Sequence, residues 1–186
     1  MIVQDIQYTM KDGRQALIRC PREEDIQGLL DYLYQSACET DFIVRCPEEC
    51  GQYTPEGEKA FIEGVNAAGN VVYFVVLVNE KLIGIAQVSW SRNMKMKHRA
   101  AVAIALLKEY WNQGIGTKVM QELIRIAEAN PDILQIELDF IEGNSRARAL
   151  YEKLGFRITG MRPNAFRLKD GTLLNEYSMI REVRRD

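Results

Sequence analysis

The chain has 186 residues, 47% hydrophobic and 27% charged, with 24 basic against 26 acidic side chains and a net charge of −2. That suits one soluble globular domain able to bury a core without metals or disulfides, and it gives no charge excess for nucleic acid or an anionic membrane. No apolar run nears the ~20 residues of a membrane span, and Met1 to Met10 lacks a basic-then-apolar export signal, so a cytoplasmic location is expected.

Gln15 to Arg19 reads as a short strand. Pro21 and the acids Glu23, Glu24 and Asp25 then open a helix, because proline and negative charge suit a first helical turn. Ile26, Leu29, Leu30, Leu33 and Tyr34 supply its apolar stripe. Asp41 to Tyr53 reads as an irregular connection. Thr54-Pro55 caps a second helix that buries Phe61, Ile62 and Val65 and stops near Gly69-Asn70.

Val71 to Val78 and Leu82 to Trp90 are rich in β-branched and aromatic residues and flank Asn79-Glu80-Lys81, which predicts a hairpin. The polar stretch Ser91 to Arg99 returns the chain into a strand from Ala100 to Leu107. Thr117 to Ala129 has a helical face of Val119, Met120, Leu123, Ile126 and Ala127, stopped by Asn130-Pro131. From Leu134 to Phe140 the apolar residues alternate with Gln135, Glu137 and Asp139. Asn144 then caps a helix with the stripe Ala147, Leu150, Tyr151 and Leu154, which Gly155 terminates. Phe156 to Arg167 and Leu173 to Val183 close the chain as a hairpin around Lys169-Asp170-Gly171. The result is a single α/β domain spanning residues 1–186, with its core at about 15–184. Its sheet is mixed and mostly antiparallel, with about seven strands flanked by about four helices.

Cys20, Cys38, Cys46 and Cys50 do not follow a zinc-binding spacing, and the one histidine, His98, is distant in sequence. Free thiols and no metal are expected. A single histidine also argues against a Ser-His or Cys-His nucleophile pair.

The chemistry-bearing stretch is Glu109-Tyr110-Trp111-Asn112-Gln113-Gly114-Ile115-Gly116-Thr117-Lys118. A strand that ends in a glycine turn and feeds a helix leaves unpaired N–H groups at the positive end of the helix dipole, where phosphate oxygens bind. A dinucleotide fingerprint needs a third small residue where Val119 stands. A P-loop needs Gly-Lys-Ser/Thr, whereas the order here is Gly116-Thr117-Lys118. Both are excluded, and a phosphorylated ligand of another kind remains.

The glycine turn together with Asn144-Ser145-Arg146-Ala147-Arg148-Ala149-Leu150-Tyr151-Glu152-Lys153-Leu154-Gly155-Phe156 resembles the GCN5-related N-acetyltransferase (GNAT) superfamily. The second block is similar to the family's Asn-x-x-Ala-x-x-x-Tyr-x-x-x-Gly-Phe signature and is the more specific of the two. The resemblance runs from about Leu17 to the C-terminus. It implies acetyl-CoA as cofactor, with the diphosphate on the amides of Asn112, Gln113, Gly114, Ile115, Gly116 and Thr117, and Lys118 as an addition. Trp111 departs from the family's usual Arg or Gln at that position.

Acetyl transfer to an amine needs a neutral amine, a donor to the oxyanion and a hydrogen bond or proton for the leaving thiolate. The resemblance assigns the last task to Tyr151, two helical turns after Asn144, with Asn144 and Ala147 beside the cofactor. It assigns the oxyanion to an amide at Leu106 or Leu107, where the strand is expected to bulge and splay from its neighbour. Asp139 or Glu137 is the candidate base, and none is needed where the neutral amine fraction suffices. Arg146 and Arg148 are candidates for the phosphates, against plain surface solvation.

The expected activity is acetylation of a primary amine on a small molecule or peptide. The resemblance implies that the first helix, the loop Asp41 to Tyr53 and the final hairpin shape the acceptor site; their acids Glu39, Asp41, Glu48 and Glu49 favour a cationic acceptor, and the resemblance adds a homodimer to the expectations. The competing reading is a non-catalytic acyl-CoA-binding regulatory module.

Overall fold

A computed structural model describes residues 1–183, so the expected core limit at residue 184 lies outside the described residues. In chain order the first half runs β1 (Ile6–Thr9), β2 (Gln15–Arg19), α1 (Ile26–Glu39), α2 (Pro55–Ala67), β3 (Val71–Val78) and β4 (Lys81–Trp90). The second half runs β5 (Arg99–Leu106), α3 (Ile115–Ala129), β6 (Gln135–Ile141), α4 (Ser145–Lys153), β7 (Arg157–Arg167) and β8 (Leu173–Glu182).

The strands form one eight-stranded sheet in the order β1-β2-β3-β4-β5-β6-β8-β7. Every neighbouring pair is antiparallel except β5 with β6. A parallel pair requires a crossover, and α3 supplies it.

The β5–β6 join is short. Arg99, Ala100 and Ala101 pair with Gln135, Ile136 and Glu137, and there the ladder ends. Beyond it Val102 to Leu106 stays on β4, while Leu138 to Ile141 follows β8. The sheet therefore opens as a wedge between two of its central strands. The bulge expected in β5 is not present: its ladder with β4 runs from Ala100 to Leu106 without a register shift. Divergence alone opens the edge.

Two layers of helix cover the sheet. Tyr73, Gln87 and Ala103 share one row across β3, β4 and β5, and Phe61 of α2 meets the Tyr73 ring edge-on at 5.0 Å. Leu106, three residues beyond Ala103, points to the opposite face, where Gly116 of α3 and Leu150 of α4 pack close by. The fully buried core includes Ile18, Phe74, Val76, Val88, Met120, Leu123, Ile136 and Met179.

Several local expectations change, among them the burial of Phe61, which is 38% exposed and covers only the edge of Tyr73. The additional strand, β1, is four residues in which Ile6 and Tyr8 alternate with Gln7 and Thr9. Such a run is marginal alone, and pairing with β2 makes it a strand. In α1 the inner tyrosine is Tyr32 at 1% exposure, three residues after Leu29, whereas Tyr34 is 56% exposed. Leu134 is also exposed and precedes β6, because Ile133 fills the buried position as the chain leaves the Asn130 turn.

A buried ion pair ties β2 to the start of α1. Arg19 donates to both carboxylate oxygens of Asp25 at 2.6 and 2.8 Å, and each side chain is 4% exposed. The same carboxylate accepts the Arg22 N–H at 2.7 Å. The four cysteines are free thiols, and no metal-binding cluster of His, Cys, Asp and Glu occurs among the described residues. No helix among the described residues is long and apolar enough to cross a membrane.

Candidate functional site

The wedge sets up the site through backbone geometry. Leu107 donates its N–H to the Ile83 carbonyl at 2.9 Å, which fixes the alternation along β5. The backbone groups of Ala105 then also face β4, while those of Ile104 and Leu106 face the side that β6 has left. Of the two amides considered for the oxyanion, Leu106 is open and Leu107 is spent on the sheet. Leu107 is also 1% exposed.

After β5 a short 3₁₀ turn (Lys108–Tyr110) leads to Asn112 and Gly114, both in the left-handed region with φ of 63° and 87°. Gly114 is the N-cap of α3, and among the described residues no side-chain cap satisfies the helix's first N–H groups. The first intrahelical bond comes from Lys118 to the Gly114 carbonyl, so the amides of Ile115, Gly116 and Thr117 are left over. No acid occupies the first turn of α3. That combination is an anion seat.

The β1–β2 hairpin braces the turn from behind. Lys11 donates its N–H to the Gln113 carbonyl at 3.2 Å, and the Tyr8 hydroxyl packs against Gly114. Arg14 reaches across to Glu109 at 3.2 Å and lies over the Tyr110 ring at 4.9 Å.

A cavity of about 200 Å³ runs from this turn into the wedge. Among the expected residues it is lined by Leu106, Asn112, Gly114, Gly116, Thr117, Asn144, Ala147 and Tyr151. Asn144 caps α4 by accepting the Ala147 N–H on Oδ1 at 3.2 Å. Its first turn likewise carries no acid, so two positive helix ends meet at one cavity. Tyr151 is 6% exposed and packs at 6.2 Å from the rings of both Phe140 and Phe156. Burial pushes its hydroxyl up to about 12.

Several expected residues do not line the cavity. Ile115 is fully buried, and Gln113 meets the hairpin instead. Lys118 is paired with Glu122 at 2.8 Å and Arg148 with Glu152 at 2.8 Å, each one helical turn along. Glu137 is held by Arg99 through two bonds of 2.7 Å, and Asp139 accepts from the Ser178 hydroxyl at 2.6 Å. Neither carboxylate belongs to the cavity wall. The His98 carbonyl accepts from Leu134 and Gln135 and anchors the start of the β5–β6 join, away from the cavity.

Residues not named individually complete the wall. Ile104 and Ala105 come from β5, Leu150 from α4, and Thr40, Phe42 and Ile43 from the loop after α1. The two-residue period already places Ile104 beside Leu106, whereas only the family resemblance, and no local signal, points to the α1 loop. That loop is fastened by Glu39, which accepts the Lys108 N–H at 2.7 Å, and by Phe42 against Gly143. Its acidity is largely engaged: Glu39 also holds Gln35, Glu49 caps Cys46, and Glu48 pairs with Lys169.

Trp111 has a defined place. Its indole N–H donates to the Leu106 carbonyl at 2.7 Å, and the Arg146 guanidinium lies on its ring 3.3 Å from the centroid. Both residues line the cavity.

Comparison with known proteins adds a direct finding. The family model described as the acetyltransferase (GNAT) family matches residues 30–156. An N-alpha-acetyltransferase of Saccharolobus solfataricus is 29% identical over 105 residues, 52% of this chain and 62% of that protein, so the chain spans less than two thirds of that relative. An aminoglycoside N(6')-acetyltransferase type 1 of Klebsiella pneumoniae is 24% identical over 154 residues, 77% of this chain and 74% of that protein. The crystal structure of a GNAT-family acetyltransferase from Streptococcus pneumoniae superposes with a TM-score of 0.83 at 26% identity, covering 90% of this chain and 99% of that one.

Proposed function

The chain belongs to the acetyltransferase (GNAT) family, whose acyl donor is acetyl-CoA, and on that premise we propose that it acetylates a primary amine of a small molecule or peptide at the wedge cavity. The observation that carries this reading is the convergence, on one cavity, of the glycine turn, the outward amide of Leu106 and the buried hydroxyl of Tyr151.

The residues fit the donor. Gly114 and Gly116 bring main-chain N–H groups to a diphosphate without side-chain obstruction, and a side chain at Gly116 would already meet Leu150 at 3.4 Å. The amides of Ile104 and Leu106 offer the sheet-like donors that an extended amide arm needs. Bound there, acetyl-CoA supplies a thioester, an acyl group already activated toward an amine.

Leu106 N–H faces the position where the thioester oxygen gathers negative charge, and a preorganised donor of this kind lowers the barrier by about 3–4 kcal/mol. Tyr151 faces the sulfur. Its hydroxyl, near 12, stays protonated at neutral pH, whereas a thiol titrates at roughly 8.5. Outright proton transfer between those values runs uphill by about 5 kcal/mol, so the phenol acts first as a hydrogen-bond donor to the departing thiolate. Asn144 fixes the start of the helix that carries it.

Glu137 and Asp139 remain the nearest acids on β6, but both are engaged elsewhere. The reading therefore takes the amine in its neutral form from solution, a small fraction for an amine of pKa near ~10. Asp41 lies between the cavity residues Thr40 and Phe42, its carboxylate has neither a hydrogen-bond nor an ion-pair partner among the described residues, and it gives the acceptor side a negative charge.

The test is a panel of amines with acetyl-CoA, followed by thiol release and mass spectrometry. Acetylated product with at least one amine is expected, and Tyr151→Phe should lower kcat by roughly 10²–10⁴-fold while the affinity for CoA stays within about threefold. Binding of CoA with no turnover on any amine would favour the non-catalytic acyl-CoA-binding alternative.

A further inference from the structure

Arg146 occupies a place that helix energetics do not explain. It is the second residue of α4, where a positive charge opposes the helix dipole, and no acid in that turn offsets it. Among the described residues no carboxylate pairs with it and no acceptor takes its N–H groups. Its one close partner is the Trp111 ring, 3.3 Å away.

Stacking of this kind matters because of what it leaves free. A guanidinium lying flat on an indole uses its face and keeps all five N–H donors at its edge. Those donors form a planar fork that matches two oxygens of a phosphate. Trp111 is itself held in place by its bond to the Leu106 carbonyl, so the platform is rigid. Lys108 Nζ lies 5.9 Å from the same ring, which gathers a second cation at the rim. Opposite stand the unpaired amides at the start of α3; Arg146, Trp111 and that turn border one cavity, with Lys108 just outside its wall. Three sources of positive potential meet there without an anion.

We propose that Arg146, seated on Trp111, is the side-chain cation that receives a phosphate group of the cofactor. Trp111, standing where the glycine-turn pattern usually has Arg or Gln, thus serves as the base plate for a charge delivered from α4. Arg146 contacts the ligand and Trp111 is a positioning residue. The inference rests on the reading of the cavity as a CoA site.

Calorimetry on the full chain with CoA, 3′-dephospho-CoA and pantetheine tests it. Arg146→Gln should weaken CoA by about 10- to 100-fold, the range of a charge-assisted contact, and leave pantetheine unchanged. The same loss on 3′-dephospho-CoA assigns the contact to the diphosphate; a loss confined to CoA assigns it to the 3′-phosphate; both support the proposal. Trp111→Ala should reproduce the loss, and the double variant should add little to either single one. Arg146→Lys keeps the charge but not the planar fork and should recover only part of the affinity. The Tm of Arg146→Gln should not fall, since a charge unfavourable to α4 is removed. The proposal is overturned if Arg146→Gln binds CoA within twofold of the unaltered chain, or if pantetheine weakens as much as CoA. Failure of the unaltered chain to bind CoA would instead remove the reading of the cavity, and the inference with it.

Discussion

Tyr8 and Gly114 share one volume: a Cβ built on Gly114 would lie 2.2 Å from the Tyr8 hydroxyl oxygen. The N-terminal hairpin is thus pressed against the backbone of the glycine turn, and the fit depends on glycine having no side chain. With φ at 87°, Gly114 also adopts a conformation that costs an L-residue about 1–2 kcal/mol. Gly114→Ala should therefore lose CoA affinity by tenfold or more with a Tm drop of a few degrees, measured by calorimetry and thermal melting. Full retention of CoA binding would show that the turn tolerates rearrangement.

The proposed donor role of Tyr151 carries a pH dependence. Burial raises its pKa to about 12, so the proton it would donate is present at every pH below roughly 11. The group that changes across the neutral range is the acceptor amine, which attacks only when neutral. At fixed, subsaturating amine, kcat/KM should rise with pH toward the amine's own pKa and show no fall attributable to the tyrosine below about pH 11. A descending limb between pH 8 and 9 that disappears in Tyr151→Phe would contradict this. Folding obeys the same sign: a phenol raised on folding contributes stability below its unfolded value near 10, and that contribution fades as pH climbs toward 12.

Glu137 and Asp139 separate structure from chemistry. Both face the polar side of β6, yet one is clamped by Arg99 and the other bound to Ser178. Glu137→Gln and Asp139→Asn are expected to keep kcat within about threefold. Glu137→Gln should cost no more than about 1 kcal/mol of stability, because the pair is partly exposed. A hundredfold loss of kcat in either variant, with CoA binding intact, would reinstate that carboxylate as the base.

Asp25 should be far less forgiving. Its carboxylate is buried with Arg19 and also caps the chain at Arg22. Asp25→Ala leaves a guanidinium that is 4% exposed with only the Cys20 carbonyl at 3.0 Å and Glu24 at 3.5 Å, and removal of one partner of such a buried pair costs about 3–5 kcal/mol. Chemical denaturation should register that loss, while the affinity of the remaining folded protein for CoA stays unchanged.

Much of this architecture was legible in residue order. Apolar periodicity marked seven strands and four helices, and the two motif blocks marked the turn, Asn144 and Tyr151. What escaped has a common physical cause: the decisive partner lies far away along the chain. Four residues of β1 become a strand only through β2, and Thr40, Phe42 and Ile43 reach the cavity through distant partners, Glu39 on Lys108 and Phe42 on Gly143. Trp111 read as a lost charge because its stack with Arg146 joins residues 35 positions apart. Spacing also cannot tell a free amide from a used one, and so Leu106 and Leu107 stood as equals until the Ile83 bond separated them.

Three residue pairs, at Arg99 to Ala101, are all that stitch β5 to β6. The sheet is in effect two ladders hinged at one corner, with a row of open main-chain donors along the gap. An acyl carrier lying in that gap, as proposed, acts as a missing strand as well as a reactant, and at one hundred times its Kd it adds about 2.7 kcal/mol to the fold. Supply of that carrier then bears on how firmly the two ladders hold together, and not on turnover alone.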